Sequence, residues 1–208
     1  MRAMKILSLC LAGTMALGAL SGCAKKNKDS SSSAKGITPA EGETYRDAMV
    51  RARGEALAFS LSGESEGEEL TMTFERSGDK AHIYTSFGSE VIDEYVVDGE
   101  YYIFFPSDKN YTKTSGTELD EVIEWEFPFG VTQELKETKT EGGQVIETYS
   151  DGDETDVFYF SEKEGKLTKY VHRTGGSEIE VEVRDFRTEG IEITLPELSE
   201  WVPLEGSE

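Results

Sequence analysis

The sequence predicts a mainly β protein with helices (α+β): a curved antiparallel sheet forming an open half-barrel, covered by an N-terminal helix and a short mid-chain helix. Three observations predict it. Apolar residues first recur at helical spacing, at Tyr45, Ala48, Met49 and Ala52. From Leu57 onward the period drops to two, and Gly- or Asp-containing turn signals recur roughly every ten residues. A single short helical signal, Leu119, Val122 and Ile123, then interrupts the strands. Consecutive hairpins make a meander, and so many strands in one sheet must curl. The two apolar helix stripes then find burial on its concave side.

Taken in order, the chain of 208 residues opens with a basic start, Arg2 and Lys5, and an uncharged apolar run from Ile6 to Leu20. That is the layout of a secretory signal peptide. The run is shorter than the ~20 residues of a spanning helix. It ends in Leu20-Ser21-Gly22-Cys23, which resembles a bacterial lipoprotein lipobox. The resemblance implies cleavage before Cys23 and acylation of that cysteine on sulfur and nitrogen. Residues 1–22 are then a leader. The remainder hangs from acyl chains at the outer face of the cytoplasmic membrane, most readily in a Gram-positive cell. Residues 23–37 are rich in Lys and Ser without apolar period, so they read as a lipid-anchored flexible linker. Lys25, Lys26 and Lys28 are placed to touch an anionic surface, although a solvated linker explains them equally well.

Residues 38–208 then form a single domain. Thr38 as N-cap, Pro39 at the first helical position and Gly54 as stop predict a helix over Pro39 to Arg53. Leu57-x-Phe59-x-Leu61 and Leu70-x-Met72-x-Phe74 predict two strands. Lys80 to Phe87 and Glu90 to Val97 predict two more, and Asp98-Gly99 is the strongest hairpin signal in the chain. It leads to Tyr101-Tyr102-Ile103-Phe104-Phe105, apolar on both faces and hence a strand covered on both sides, followed by a short strand from Asn110 to Thr114. Thr117 to Asp120 has the spacing of a helix start, and Pro128 stops that helix. Further strands fall near Thr132–Thr140, Gln144–Tyr149, Thr155–Ser161, Lys166–Arg173, Ser177–Arg187 and Ile191–Leu195. Past Pro196 only Trp201 offers the tail something to pack.

A net charge of −21 argues against a nucleic-acid partner, because no basic patch can form. The leader's only charges are basic, so the remainder is more acidic still. Its plain meaning is solubility beside a membrane. Beyond the leader, Cys23 is the only cysteine, which excludes a disulfide frame and thiol catalysis. His82 and His172 each stand alone on a predicted strand and read as strand-face residues. The run Asp151-Gly152-Asp153-Glu154-Thr155-Asp156 lacks the glycine and distal glutamate of an EF-hand loop and reads as an acidic hairpin turn. No serine lies in Gly-x-Ser-x-Gly. No catalytic, metal or cofactor constellation emerges, and the expectation is a non-enzyme.

The lipobox, the linker, the first helix, the aromatic strand after Asp98-Gly99 and the closing Ile191-Glu192-Ile193-Thr194-Leu195-Pro196 together resemble the LolA/LolB-type lipoprotein-carrier superfamily. Its anchored relatives in Gram-positive and mycobacterial lineages, the LppX/LprG-type lipoproteins, are similar. The likeness spans about residues 38 to 196. It implies an open barrel with helices around an apolar cavity for acyl chains. Alternation divides the aromatic strand into Tyr101, Ile103 and Phe105 on one face and Tyr102 and Phe104 on the other, without saying which is concave. The first set is chosen because it leaves the Tyr101 hydroxyl near an edge, with Phe59, Met72, Phe74 and Ile83 as the matching wall residues. Trp125 and Phe127 would cover the opening, unless that cluster, with Phe129, is ordinary core under the short helix. The expected partners are thus the membrane, through acylated Cys23, and a lipid or other apolar ligand. The alternative is a protein-interaction or sensory module of the cell envelope, its barrel filled by its own side chains.

Overall fold

The computed structural model describes residues 35–204, apart from 66, 117–118 and 130–131. Within them the protein is mainly β, with one open, non-closed sheet of twelve strands and two short helices. Six strands follow the first helix α1 (Tyr45–Arg53): β1 (Ala56–Ser65), β2 (Glu68–Ser77), β3 (Lys80–Phe87), β4 (Glu90–Val97), β5 (Glu100–Phe105) and β6 (Asn110–Ser115). After α2 (Leu119–Glu126) come β7 (Glu134–Glu141), β8 (Gln144–Asp151), β9 (Glu154–Ser161), β10 (Leu167–Thr174) and β11 (Ser177–Arg187), with β12 (Val202–Pro203) near the end. The spatial order is β12-β6-β5-β4-β3-β2-β1-β11-β10-β9-β8-β7. Two antiparallel meanders are therefore joined where β1 pairs β11, leaving β7 and β12 as edges. The Asp98-Gly99 turn takes φ of 54° and 77°, the left-handed pair that a two-residue hairpin demands.

Alternation assigns one sheet face to a single apolar core. Leu57, Phe59, Met72, Phe74, Ile83, Phe158, Phe160 and Val183 meet Ala48 and Met49 of α1 and Val122 and Ile123 of α2 there. Arg76 donates to Asp120 in the first turn of α2 at 2.8 Å. The N-terminus of α1 is held from the sheet. Glu147 of β8, 2% exposed, accepts from the Tyr45 N–H at 2.7 Å and the Arg46 N–H at 3.0 Å. Two of the N–H groups that a helix start leaves over are thus satisfied by a carboxylate, which also suits the helix dipole.

Four expectations are corrected here. The first helix begins at Tyr45, not Pro39, because Gly42 turns the chain at φ 81° and Thr44 is the N-cap, accepting from the Asp47 N–H at 3.1 Å. Ile191–Leu195 forms no ladder. Its side chains Ile193 and Leu195 pack instead on the opposite sheet face, against the group of Tyr95, Tyr102 and Phe104. The tail is held firmly, since Trp201 lies edge-on to Phe104 at 4.7 Å and Val202 pairs with β6 in parallel. That tail covers the outer side of β5, which explains why the strand is apolar on both faces. The predicted cap at Thr117 lies outside the described residues. The chain also docks earlier than expected: Ile37 is buried and its N–H donates to the Gly165 carbonyl at 2.8 Å. A side chain at Gly36 would meet the Glu164 carbonyl at 2.0 Å, so only glycine fits that approach.

Candidate functional site

The nine nominated residues all lie on described strands or helices, or just past α2, and all but one have described side chains. Phe59, Met72, Phe74 and Ile83 are at most 2% exposed, on the face that meets the helices. Phe127 lands on top of them, 6.1 Å from Phe59 and 5.4 Å from Phe74 between ring centroids. Phe129 adds a contact at 5.2 Å to Phe59. These rings fill the space that alternation assigned to a cavity wall. The side chain of Trp125 and the whole of Cys23 lie outside the described residues.

The aromatic strand behaves differently. Tyr101, Ile103 and Phe105 share the helix-side face, as the pairings Val96↔Tyr101 and Glu94↔Ile103 require, but they are only half-buried. Register continues this surface to Ile92 on β4, opposite Thr85, and to Phe87 on β3, opposite Glu90. Both are half-buried too. The result is a half-exposed apolar strip, Phe87, Ile92, Ile103 and Phe105, running out from the packed core. At its inner end the Tyr101 hydroxyl donates to Glu94, a carboxylate 3% exposed. Alternation along β3 and β4 is the signal for Phe87 and Ile92, which the denser aromatic run of β5 overshadows in the sequence.

A polar cluster sits on the same face near the other edge. Asp156 of β9 is fully buried and accepts from Tyr170 Oη at 2.6 Å and Gln133 Nε2 at 2.7 Å; His172 Nδ1 is 2.6 Å away. Arg46 donates to the Gln133 carbonyl at 2.9 Å and stacks over Tyr149 with its guanidinium carbon 3.5 Å from the ring centre. His172 is therefore not solitary, and the acidic run around Asp151 contains a core residue. Its other members, Asp151, Asp153 and Glu154, are exposed. Among the described residues no group of three or more His, Cys, Asp or Glu side chains is placed to hold a metal ion.

On the outer face His82 bridges two carboxylates, with Nδ1 2.9 Å from Glu75 and Nε2 2.7 Å from Asp93. Arg187 donates to the second oxygen of Glu75 at 2.7 Å, and Tyr95 stacks on the imidazole at 4.4 Å. Burial pulls the imidazole pKa down, but the hydrogen bonds and charges of Asp93 and Glu75 outweigh it and raise it to about 9. An unfolded histidine titrates at about 6.5. The bridge thus contributes its full stability below about pH 6.5 and loses it as pH rises to about 9. Thermal melts should show a fall on the order of 2 kcal/mol across that window, and His82→Gln should flatten it. A melting temperature of the native chain that is level across the window would refute the assignment.

No family model matches the chain, and no curated protein matches it. Among solved structures it is similar to an uncharacterized conserved protein from Thermus thermophilus. That alignment has 10% identity and a TM-score of 0.49, and covers 71% of this chain and 87% of the other.

Proposed function

We propose that this chain is a membrane-anchored extracytoplasmic lipoprotein whose sheet binds an apolar or amphiphilic ligand, such as an acyl chain. The sheet acts as an open half-barrel with both helices on its concave side, in the manner the carrier resemblance implies. The observation that carries the reading is the half-exposed strip of Phe87, Ile92, Ile103 and Phe105. The ligand seat lies on β3–β5, beside the ring-filled centre of the sheet. Apolar side chains standing on a sheet face beside a filled core gain roughly 0.8 kcal/mol for each methylene they take out of water. The Tyr101–Glu94 pair supplies a polar foot for a headgroup. No covalent step is required, and no enzyme chemistry is assigned.

Uptake of a fluorescent fatty acid tests it. Wild-type protein should bind the probe, and Ile103→Asp or Phe105→Asp should weaken binding about tenfold or more while preserving the β-sheet spectrum. Tyr84→Asp, on the opposite face, should leave uptake alone. The packing of Phe59, Phe74, Phe127 and Phe129 favours a second reading, an envelope interaction module filled by its own side chains. Wild-type protein that takes up no probe and carries no co-purified lipid would establish that reading over the first.

The anchor is tested separately. No described helix is long and apolar enough to cross a membrane. Cys23→Ala should leave the domain folded and release it from the membrane fraction with loss of lipid labelling. Retention of the variant in membranes at high salt would overturn the anchor.

A further inference from the structure

Strand β7 stands at one edge of the sheet, and all eight of its residues are exposed, on both faces. The other edge strand, β12, is two residues long. An edge strand offers a row of backbone donors and acceptors to another chain, and charged side chains on it oppose pairing with a chain whose charges do not match. Here charges of both signs are interspersed along Glu134-Leu135-Lys136-Glu137-Thr138-Lys139-Thr140-Glu141, although the chain as a whole is strongly acidic.

We propose that β7 is a self-recognition edge, at which a second copy of this chain pairs antiparallel about a two-fold axis through Thr138. In an antiparallel pair, directly opposed residues point to one face and share one bonding state, so such an axis must pass through a residue and not between residues. Axes at Lys136, Glu137 or Lys139 place identical charges face to face, and axes nearer either end leave a short overlap. The axis at Thr138 opposes unlike charges while keeping Leu135 to Glu141 overlapped. Glu137 faces Lys139 of the partner subunit, and by symmetry its own Lys139 faces Glu137 of the partner subunit. Thr138 meets its own copy, a favourable cross-strand pair. The central stretch from Glu137 to Lys139 keeps regular register with β8, and the irregularity between Leu135 and Glu137 falls at the two ends of the pairing. Lys139 is now engaged by Glu141 at 3.6 Å, and both are exposed. Such a pair holds little, so the lysine is available.

Charge exchange tests the register in the full chain, using tagged and untagged copies in detergent. Tagged wild type should capture untagged wild type. Glu137→Lys should fail to capture itself, because lysine then faces lysine, and Lys139→Glu should fail because glutamate faces glutamate. Tagged Glu137→Lys should capture Lys139→Glu, since in the proposed register both opposed 137/139 pairs between the two variants carry unlike charges, and the double variant should recover self-capture in full. Both substitutions lie on exposed positions, and circular dichroism of each variant should match wild type. No self-capture of wild type, or no recovery in the double variant, would overturn the proposal. Self-capture that survives both single variants would also overturn it, placing self-association elsewhere.

Discussion

Asp156→Ala will destabilise the folded chain by about 3–5 kcal/mol, the cost of removing the fully buried hub of a hydrogen-bonded network. The carboxylate is the hub that fixes three elements on one sheet face. It holds Gln133 in the segment before β7, and Tyr170 and His172 on β10. Alanine removes the acceptor of the Gln133 amide and the partner of His172 Nδ1, both well removed from water, and buried donors without acceptors cost about 1–3 kcal/mol each. The damage should spread to α1, because the Gln133 carbonyl that accepts from Arg46 is placed by the same hub. Urea unfolding followed by circular dichroism reads the loss. Glu154→Ala, two residues away on the same strand and exposed, should stay within about 0.5 kcal/mol of wild type. A loss below about 1 kcal/mol for Asp156→Ala would show that water can replace the carboxylate.

The same residue shows what the sequence conceals. An acidic run reads as a solvated turn, and for Asp151 to Glu154 that holds. Asp156, however, is in phase with Phe158 and Phe160, and period two alone sends it into the core with them. Composition and period conflict there, and period wins. Where the two agree, sequence and structure are close. Strands β1 to β6 and β7 to β11 fall at or near their expected places, because turn signals such as Asp98-Gly99 and Gly142-Gly143 bound each alternating run. Long-range pairing is beyond local reach. Nothing local says that β1 joins β11, or that Trp201 returns to Phe104 while Ile193 and Leu195 line the outer face without joining a ladder. The first cap is ambiguous for a related reason. Thr38 and Thr44 are equally good caps by type, and Glu147, distant in sequence, joins the Gly42 turn in setting the helix start at Tyr45. For the candidate site, alternation separates the two side-chain sets of β5 but does not say which meets the helices, and the filling of the central space is not legible at all. That filling depends on Phe127 and Phe129 folding back from the end of α2.

Met49→Asp should prove as severe, about 4 kcal/mol or more, and should unfold a marginal domain outright. Met49 is fully buried on the inner side of α1, in the same core as Leu57 and Phe59. Two losses add. The thioether leaves behind apolar burial of about 1.5–3 kcal/mol, and a carboxylate enters apolar surroundings where it must be protonated or drag water in. The helix has little to offset this: it is nine residues long, too short to be stable without its packing. Its N-terminal hold through Glu147 depends on α1 lying flat against the sheet, so lifting the helix also leaves a buried carboxylate without its two backbone donors. Met49→Leu, nearly equal in volume and apolar, should cost less than about 1.5 kcal/mol and separates charge from shape. If Met49→Asp melts within a degree or two of wild type, α1 does not close the core, and the half-barrel reading that relies on its covering helices fails with it.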